Sequence, residues 1–206
     1  MQLWITFLFC SFFINQCVAG VKPGIEQLFE KPYIDLLHKK KIGLITNQTG
    51  IDSQSNSTIS LLQKNEGLGN YKLCALFGPE HGLFGIGYAG EPINGEKHPD
   101  QIPIYSLHNK THRPTKEMLE KVDLLLFDIQ DIGCRSYTYT TTLFYVMEEA
   151  QKACKSVIVL DRPNPINGMV VDGPMFDESK RSMVGHINVP YCHGMTIGEL
   201  ALFFNG

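Results

Sequence analysis

A marked excess of charge of either sign is missing from this sequence. Eighteen Lys and Arg against 21 Asp and Glu leave a net charge of -3, and the cations form no stripe, so nucleic acid is not an expected partner. Metal-ligand spacing is missing too. There is no Cys-x-x-Cys pair, and the one close Cys/His neighbour set is Cys192-His193, so neither zinc nor any other structural metal is expected. Long apolar runs are absent: the hydrophobic stretch 3–14 falls below the roughly 20 residues that span a bilayer. What is there is an ordinary globular composition, 43% apolar and 19% charged over 206 residues, enough for one substantial domain and unlike a disordered tail.

The stretch 3–14 leads into Cys17-Val18-Ala19 ahead of Gly20, which puts small residues at the two key positions of a cleavage site. Residues 1–19 therefore read as a secretory signal peptide cut after Ala19. This predicts a secreted or periplasmic protein with no stable membrane span after cleavage. A charged start is missing apart from the α-amino group, and the competing readings are an uncleaved anchor and a buried N-terminal helix. Lipidation at Cys17 is a minor alternative, because Gln16 is bulkier than a lipobox accepts. Of the six cysteines, Cys10 and Cys17 lie in the leader; Cys74, Cys134, Cys154 and Cys192 remain. Four cysteines permit three disulfide connectivities, and sequence does not choose among them. The sequons at Asn47, Asn56 and Asn109 matter only in a source that glycosylates, and a bacterium is expected.

Along the chain, 25–37 is weakly helical and interrupted near Pro32, and 42–46 is a short β-rich run ending in the polar turn 47–50. A helix capped by Ser57 follows, with a glycine stop at Gly67 and Gly69. Strands are expected at 71–77, 104–107, 122–127 and 157–160, and helices at 114–121, with Pro114 in the first turn, and at 137–153. The region 85–103, rich in Gly, Pro, Asn and Asp, is a long irregular loop of the kind that is usually functional. Continuous apolar strands alternating with helices predict a doubly wound α/β fold around a mainly parallel sheet.

In such sheets ligands bind beyond the carboxyl ends of the strands. The residues found there are Asn47, Glu80, Asp128 and Asp161. Each one alone is adequately explained as a turn or a cap; four together favour a shared site. Glu80 stands out, side by side with His81 between Gly78-Pro79 and Gly82, where proline and glycine hold a tight shape that admits a ligand. The loop 128–140 mixes acids, amides, Arg135 and tyrosines, which suits a sugar: Arg135 can fork onto a carboxylate, and Tyr137 can stack on a ring face. The structural alternative is a capping network with an Asp131–Arg135 salt bridge. Two prolines flank Asn164, so its side chain is aimed rather than mobile. Gly85-Ile86-Gly87-Tyr88-Ala89-Gly90 matches the dinucleotide fingerprint in letters only. It does not join a strand directly to a helix, so no cofactor is expected.

The strings around Asn47-Gln48-Thr49-Gly50, Pro79-Glu80-His81-Gly82, Asp128-Ile129-Gln130-Asp131, Arg135-Ser136-Tyr137, Asp161-Arg162-Pro163-Asn164 and His193-Gly194-Met195 resemble, in order, the exo-β-N-acetylmuramidase family. The resemblance runs from about residue 24 to the end of the chain. It implies a Rossmann-like domain, residues 20–195, and a glycosidase that removes N-acetylmuramic acid from the non-reducing end of peptidoglycan fragments. Muropeptides are thus the implied partners. Residue by residue, it implies Glu80 as the catalytic acid, with Asp128 and Asp131 as candidates for a second carboxylate. It implies Arg135 at the lactyl carboxylate, with Asn47, His81, Gln130, Tyr137, Asp161, Arg162, Asn164 and His193 as further binding residues.

Two positions depart from that pattern: Phe84 and Cys192 stand where the family carries basic residues. The resemblance also implies a smaller C-terminal domain that is missing here, with 196–206 as its truncated start. A separately encoded C-terminal domain is then a further expected partner. The alternative to a glycosidase is an inactive remnant, or a module that binds muropeptides without cleaving them.

Overall fold

The computed structural model describes residues 20–88, 100–108 and 110–206. Residues 1–19, expected to be a leader, most of the expected irregular loop and Asn109 lie outside the described residues. Five strands, β1 Lys41–Thr46, β2 Lys72–Gly78, β3 Ile104–Ser106, β4 Leu124–Asp128 and β5 Ser156–Val159, form one sheet in the order β3-β2-β1-β4-β5. Every pairing is parallel. This is the strand order of the first five strands of a Rossmann sheet, and its direction of winding reverses between β1 and β4.

Period-two alternation divides the core between the faces. Leu125 and Phe127 point to one face with Ile45, Ala75 and Phe77, while Leu124 and Leu126 point to the other with Ile42, Leu44 and Leu76. In β2 the alternation is broken: Ile42 pairs with Leu73 but Gly43 pairs with Ala75, so Cys74 is an extra, bulged residue. The bulge lets Leu73 and Leu76 share one face. Helices α1 Gly24–Leu28 and α2 Thr58–Lys64, with a 3-10 turn at Tyr33–Leu37, cover that face through Ile25, Leu28, Leu37 and Leu62. The opposite face is covered by α4 Lys116–Leu119, α5 Thr138–Lys152 and α6 Ile197–Asn205, through Leu119, Leu143, Val146, Ile197 and Leu200. Each such fully buried side chain contributes about 1.5–3 kcal/mol.

Differences from the expected elements are local. The segment after Ser57 divides into α2 and a single turn, α3 Glu66–Gly69, closed by Asn70 in the left-handed conformation. The expected helix 114–121 is one turn capped by Thr115, which leaves Pro114 ahead of the cap rather than in the first turn. α6 does not stand apart from 20–195: Ile197, Leu200 and Ala201 are buried in the same core as α5, and only its outer face, with Leu202 and Phe203, is exposed. Among the described residues no helix is long and apolar enough to cross a membrane.

Candidate active site

β2 ends at Gly78, and the chain then turns sharply. His81, Gly82 and Gly85 all have positive φ, of 67°, 78° and 70°. For a side chain such as His81 this backbone costs about 1–3 kcal/mol and persists only where its surroundings enforce it. Here His81 Nδ1 donates to the carbonyl of Gly87 at 2.9 Å, and Gly87 N–H returns a bond to the His81 carbonyl at 3.1 Å. A carbonyl can only accept, so Nδ1 carries a proton.

Glu80 sits within this turn, its side chain 14% exposed. Thr138 Oγ1, at the start of α5, donates to Glu80 Oε2 at 2.7 Å. His108 Nε2, two residues past β3, lies 3.6 Å from Oε1. Burial pushes the His108 pKa down, with Glu80 pulling weakly the other way. The pair is therefore a carboxyl beside a neutral imidazole at pH 7, not an ion pair. Nearby, burial raises the Tyr139 hydroxyl pKa, the adjacent Asn47 side chain pulls it back, and the charge of Glu80 adds to the rise. Glu80 is thus a part-buried carboxyl set among a hydroxyl, a phenol and a neutral imidazole, groups between which a proton can pass.

Asp128, expected as a second carboxylate beyond β4, is the last residue of that strand and is fully buried. Arg162 Nε donates to Oδ1 at 2.6 Å and Nη2 to Oδ2 at 3.1 Å; the Thr58 hydroxyl also donates to Oδ2, and Arg162 Nη2 reaches the Ile51 carbonyl at 2.7 Å. Burial pushes the Asp128 carboxyl up, against the pull of Arg162 and Thr58. Asp128 and Arg162 thus join α2, β4 and the segment after β5, and the geometry makes them part of the frame rather than groups presented to a ligand. Asp161 is likewise a cap: Oδ1 accepts from Gly198 N–H at 2.8 Å and Oδ2 from the Thr196 hydroxyl at 2.8 Å, at the start of α6.

Asp131 pairs with His193 rather than with Arg135. Oδ2 accepts from Gly133 N–H at 2.8 Å and lies 3.2 Å from His193 Nε2, with the imidazole wholly buried. His193 Nδ1 accepts from Met195 N–H at 3.2 Å, which fixes the proton on Nε2 and makes it the donor to Asp131. Asp131 Oδ1 is buried with no partner among the described residues. Asn164 Nδ2 donates to the Met195 carbonyl at 2.9 Å, and its side chain packs on Gly133, where φ is +84° and a Cβ would come within 2.3 Å of Asn164 Oδ1. Gln130 laces the same loops, donating from Nε2 to the Pro163 carbonyl at 2.9 Å.

Across the β1/β4 reversal, Asn47 Oδ1 accepts from Thr49 Oγ1 at 2.6 Å, and Thr49 Oγ1 in turn accepts from Gln130 N–H at 2.9 Å. Asn47 Nδ2 is buried without a well-formed hydrogen bond. Arg135 donates weakly to the Pro174 carbonyl at 3.4 Å and lies over Phe176 at 5.3 Å, while its Nη1 is buried and unpartnered among the described residues. Tyr137 and Tyr191 are part-exposed, and Ser136 Oγ donates to the Tyr191 hydroxyl at 3.0 Å. Asn47, Asp131 and Arg135 thus keep unmet hydrogen-bonding capacity, as does His108 at Nδ1. A hollow of about 820 Å³ against α5, β5 and α6 lies elsewhere. Each of its acids is already engaged, Asp161 and Glu199 in capping α6 and Glu148 in an ion pair with Arg113, so it is not the chemical site.

His108 and Thr138 escape a reading of the sequence. His108 was legible in principle, since it follows the run 104–107 as Glu80 follows 71–77; Thr138 is one of several threonines, and only the folding of α5 against the Glu80 turn selects it.

Residues 42–206 match the family model described as exo-beta-N-acetylmuramidase NamZ, N-terminal. The chain is 46% identical over 188 residues to the peptidoglycan beta-N-acetylmuramidase NamZ of Bacillus subtilis (strain 168), an overlap of 90% of this chain and 44% of that protein. Two crystal structures of DUF1343 family proteins from Bacteroides fragilis NCTC 9343 superpose on it. One has a TM-score of 0.81 at 45% identity and the other 0.76 at 37%. They overlap 90% and 91% of this chain but 46% and 47% of their own. The chain thus spans a little under half the length of the relatives it matches.

Proposed function

The chain belongs to the family of NamZ-type exo-β-N-acetylmuramidase N-terminal regions, and on that premise we propose that it acts on peptidoglycan fragments, releasing N-acetylmuramic acid from their non-reducing ends, with Glu80 as the acid. The observation that carries the proposal is the Glu80 carboxyl at the β2 exit, held by Thr138 and flanked by neutral His108. In the reaction, protonated Glu80 gives its proton to the glycosidic oxygen as the C1–O bond breaks and the sugar alcohol leaves. Asp128 is committed to Arg162, Asp161 to α6 and Asp131, through Oδ2, to Gly133 and His193, which supports a route in which the substrate's own acetamido oxygen bonds to C1 in place of an enzyme nucleophile. Water then adds at C1, returning its proton to the Glu80 carboxylate and releasing the acetamido group. Arg135 Nη1 is the donor proposed for the lactyl carboxylate and Asn47 Nδ2 the donor for a sugar carbonyl, while Asp131 Oδ1 is the acceptor for a sugar hydroxyl. The exposed Tyr137 ring offers a stacking face.

The test is release of N-acetylmuramic acid from a chromogenic β-N-acetylmuramide and from muropeptides, with Glu80→Gln alongside. Loss of about 100-fold or more in kcat, with substrate binding retained, is expected for removal of a general acid. Parental activity in Glu80→Gln would remove Glu80 from that role. Binding of muropeptide without release by the parent, even with the remaining half of a longer relative added, would favour a binding module instead. Export is part of the same proposal: the N-terminus of the mature protein is expected to be Gly20.

A further inference from the structure

Two of the four described cysteines face each other across the candidate site. Cys134 and Cys192 form an antiparallel bridge, with their sulfurs 3.9 Å apart and both thiols free. The hydrogen bonds lie on either side of the pair, from Arg135 N–H to the Tyr191 carbonyl at 2.8 Å and from His193 N–H to the Gly133 carbonyl at 3.3 Å. Cys134 and Cys192 are therefore a non-hydrogen-bonded pair, the position at which facing side chains approach most closely. Cα atoms there stand about 4.5 Å apart, inside the window a disulfide spans. On its other edge Cys192 is bonded twice to Asp172, N–H to carbonyl at 2.8 Å and carbonyl from N–H at 3.1 Å. The backbone is thus already held at the required separation, and closure needs side-chain rotation rather than a shift of the chain.

From this geometry we propose that Cys134 and Cys192 are a redox site that closes to a cross-strand disulfide when the oxidant is a small-molecule disulfide. One thiolate attacks the small disulfide and expels a thiol. The second cysteine then attacks the resulting mixed disulfide, forming the Sγ–Sγ bond and expelling the other thiol. The two cysteine protons and two electrons thereby leave with the two reduced small-molecule thiols. Closure ties together the neighbours of the pair, Arg135 with its unpartnered Nη1 and His193 with its bond to Asp131. It also closes a loop of 58 residues' separation. The inference stands on the bridge geometry and is independent of the glycosidase reading.

The experiment treats the purified chain with oxidised glutathione, blocks remaining thiols, and maps the peptides by mass spectrometry without reduction. A peptide pair joining Cys134 to Cys192 is expected, with a Tm about 10 °C above that of the dithiothreitol-treated protein, as a closed loop of this length implies. Cys134→Ser and Cys192→Ser should each abolish both changes, while Cys74→Ser and Cys154→Ser leave them intact. Stable glutathione adducts on either residue, linkage to another cysteine, or both thiols still free after oxidation would overturn the proposal. If either serine variant does not fold, the peptide map of the parent decides alone.

Discussion

The role of Asp128 separates two pictures of this site, and replacing it distinguishes them. Its carboxylate is fully buried and takes three donors, two from Arg162 and one from Thr58, while Arg162 is itself 7% exposed. Asp128→Asn keeps the volume but leaves the guanidinium buried without its counter-charge, and removal of one partner of a buried pair costs about 3–5 kcal/mol. In a domain of this size each kcal/mol moves the Tm by roughly 2–4 °C, so a fall of about 6–20 °C is expected by calorimetry. Arg162→Met should cost a similar amount. Burial pushes the Asp128 carboxyl up despite Arg162 and Thr58, so these partners do not fully offset the desolvation of the carboxylate. The double variant Asp128→Leu/Arg162→Met should accordingly be more stable than either single one. Turnover measured well below each Tm should be reduced modestly. If Asp128→Asn leaves the Tm within about 2 °C of the parent while turnover collapses, the frame assignment is wrong and Asp128 is a working carboxylate.

Two further outcomes are expected. Burial lowers the pKa of both His108 and His186, so below the unfolded value of about 6.5 the unfolded chain binds more protons than the folded one. The Tm should therefore fall as pH drops from 7.5 to 5.5, and His108→Gln should flatten that slope; a Tm insensitive to this range would refute the burial argument. Gly133→Ala combines a positive φ of 84° with a Cβ 2.3 Å from Asn164 Oδ1. It should cost about 1–3 kcal/mol in thermal stability and weaken muropeptide binding through displaced Asn164, whereas Gly168→Ala, whose Cβ meets only a carbonyl at 3.5 Å, serves as the benign control.

Much of this architecture is legible from local pattern alone. Strands buried on both faces must be continuously apolar, and each therefore announces itself in residues such as 124–127; the punctuation by Gly, Pro and Asn marks where they end. The same logic places Asn47 and Glu80 at strand exits and marks the turn 78–82 as unusual, because φ preferences act within a few residues. The bulge at Cys74 carries no such signal, since it depends on the partner register of β1.

Beyond that range the letters are silent. Asp128 and Glu80 both follow apolar strands, but Asp128 finds an arginine 34 residues away and Asp161 a helix start 35–37 residues on, while Glu80 meets a threonine 58 residues away. Sequence by itself determined the alternation of strands and helices and the acids offered at the sheet's carboxyl edge, because hydrophobic period and backbone propensity are local. Tertiary structure alone decided which acids are held by the frame, which turn meets His108 and Thr138, and that Cys134 faces Cys192. A carboxylate or thiol takes its role from the charge, donors and burial that distant segments bring to it.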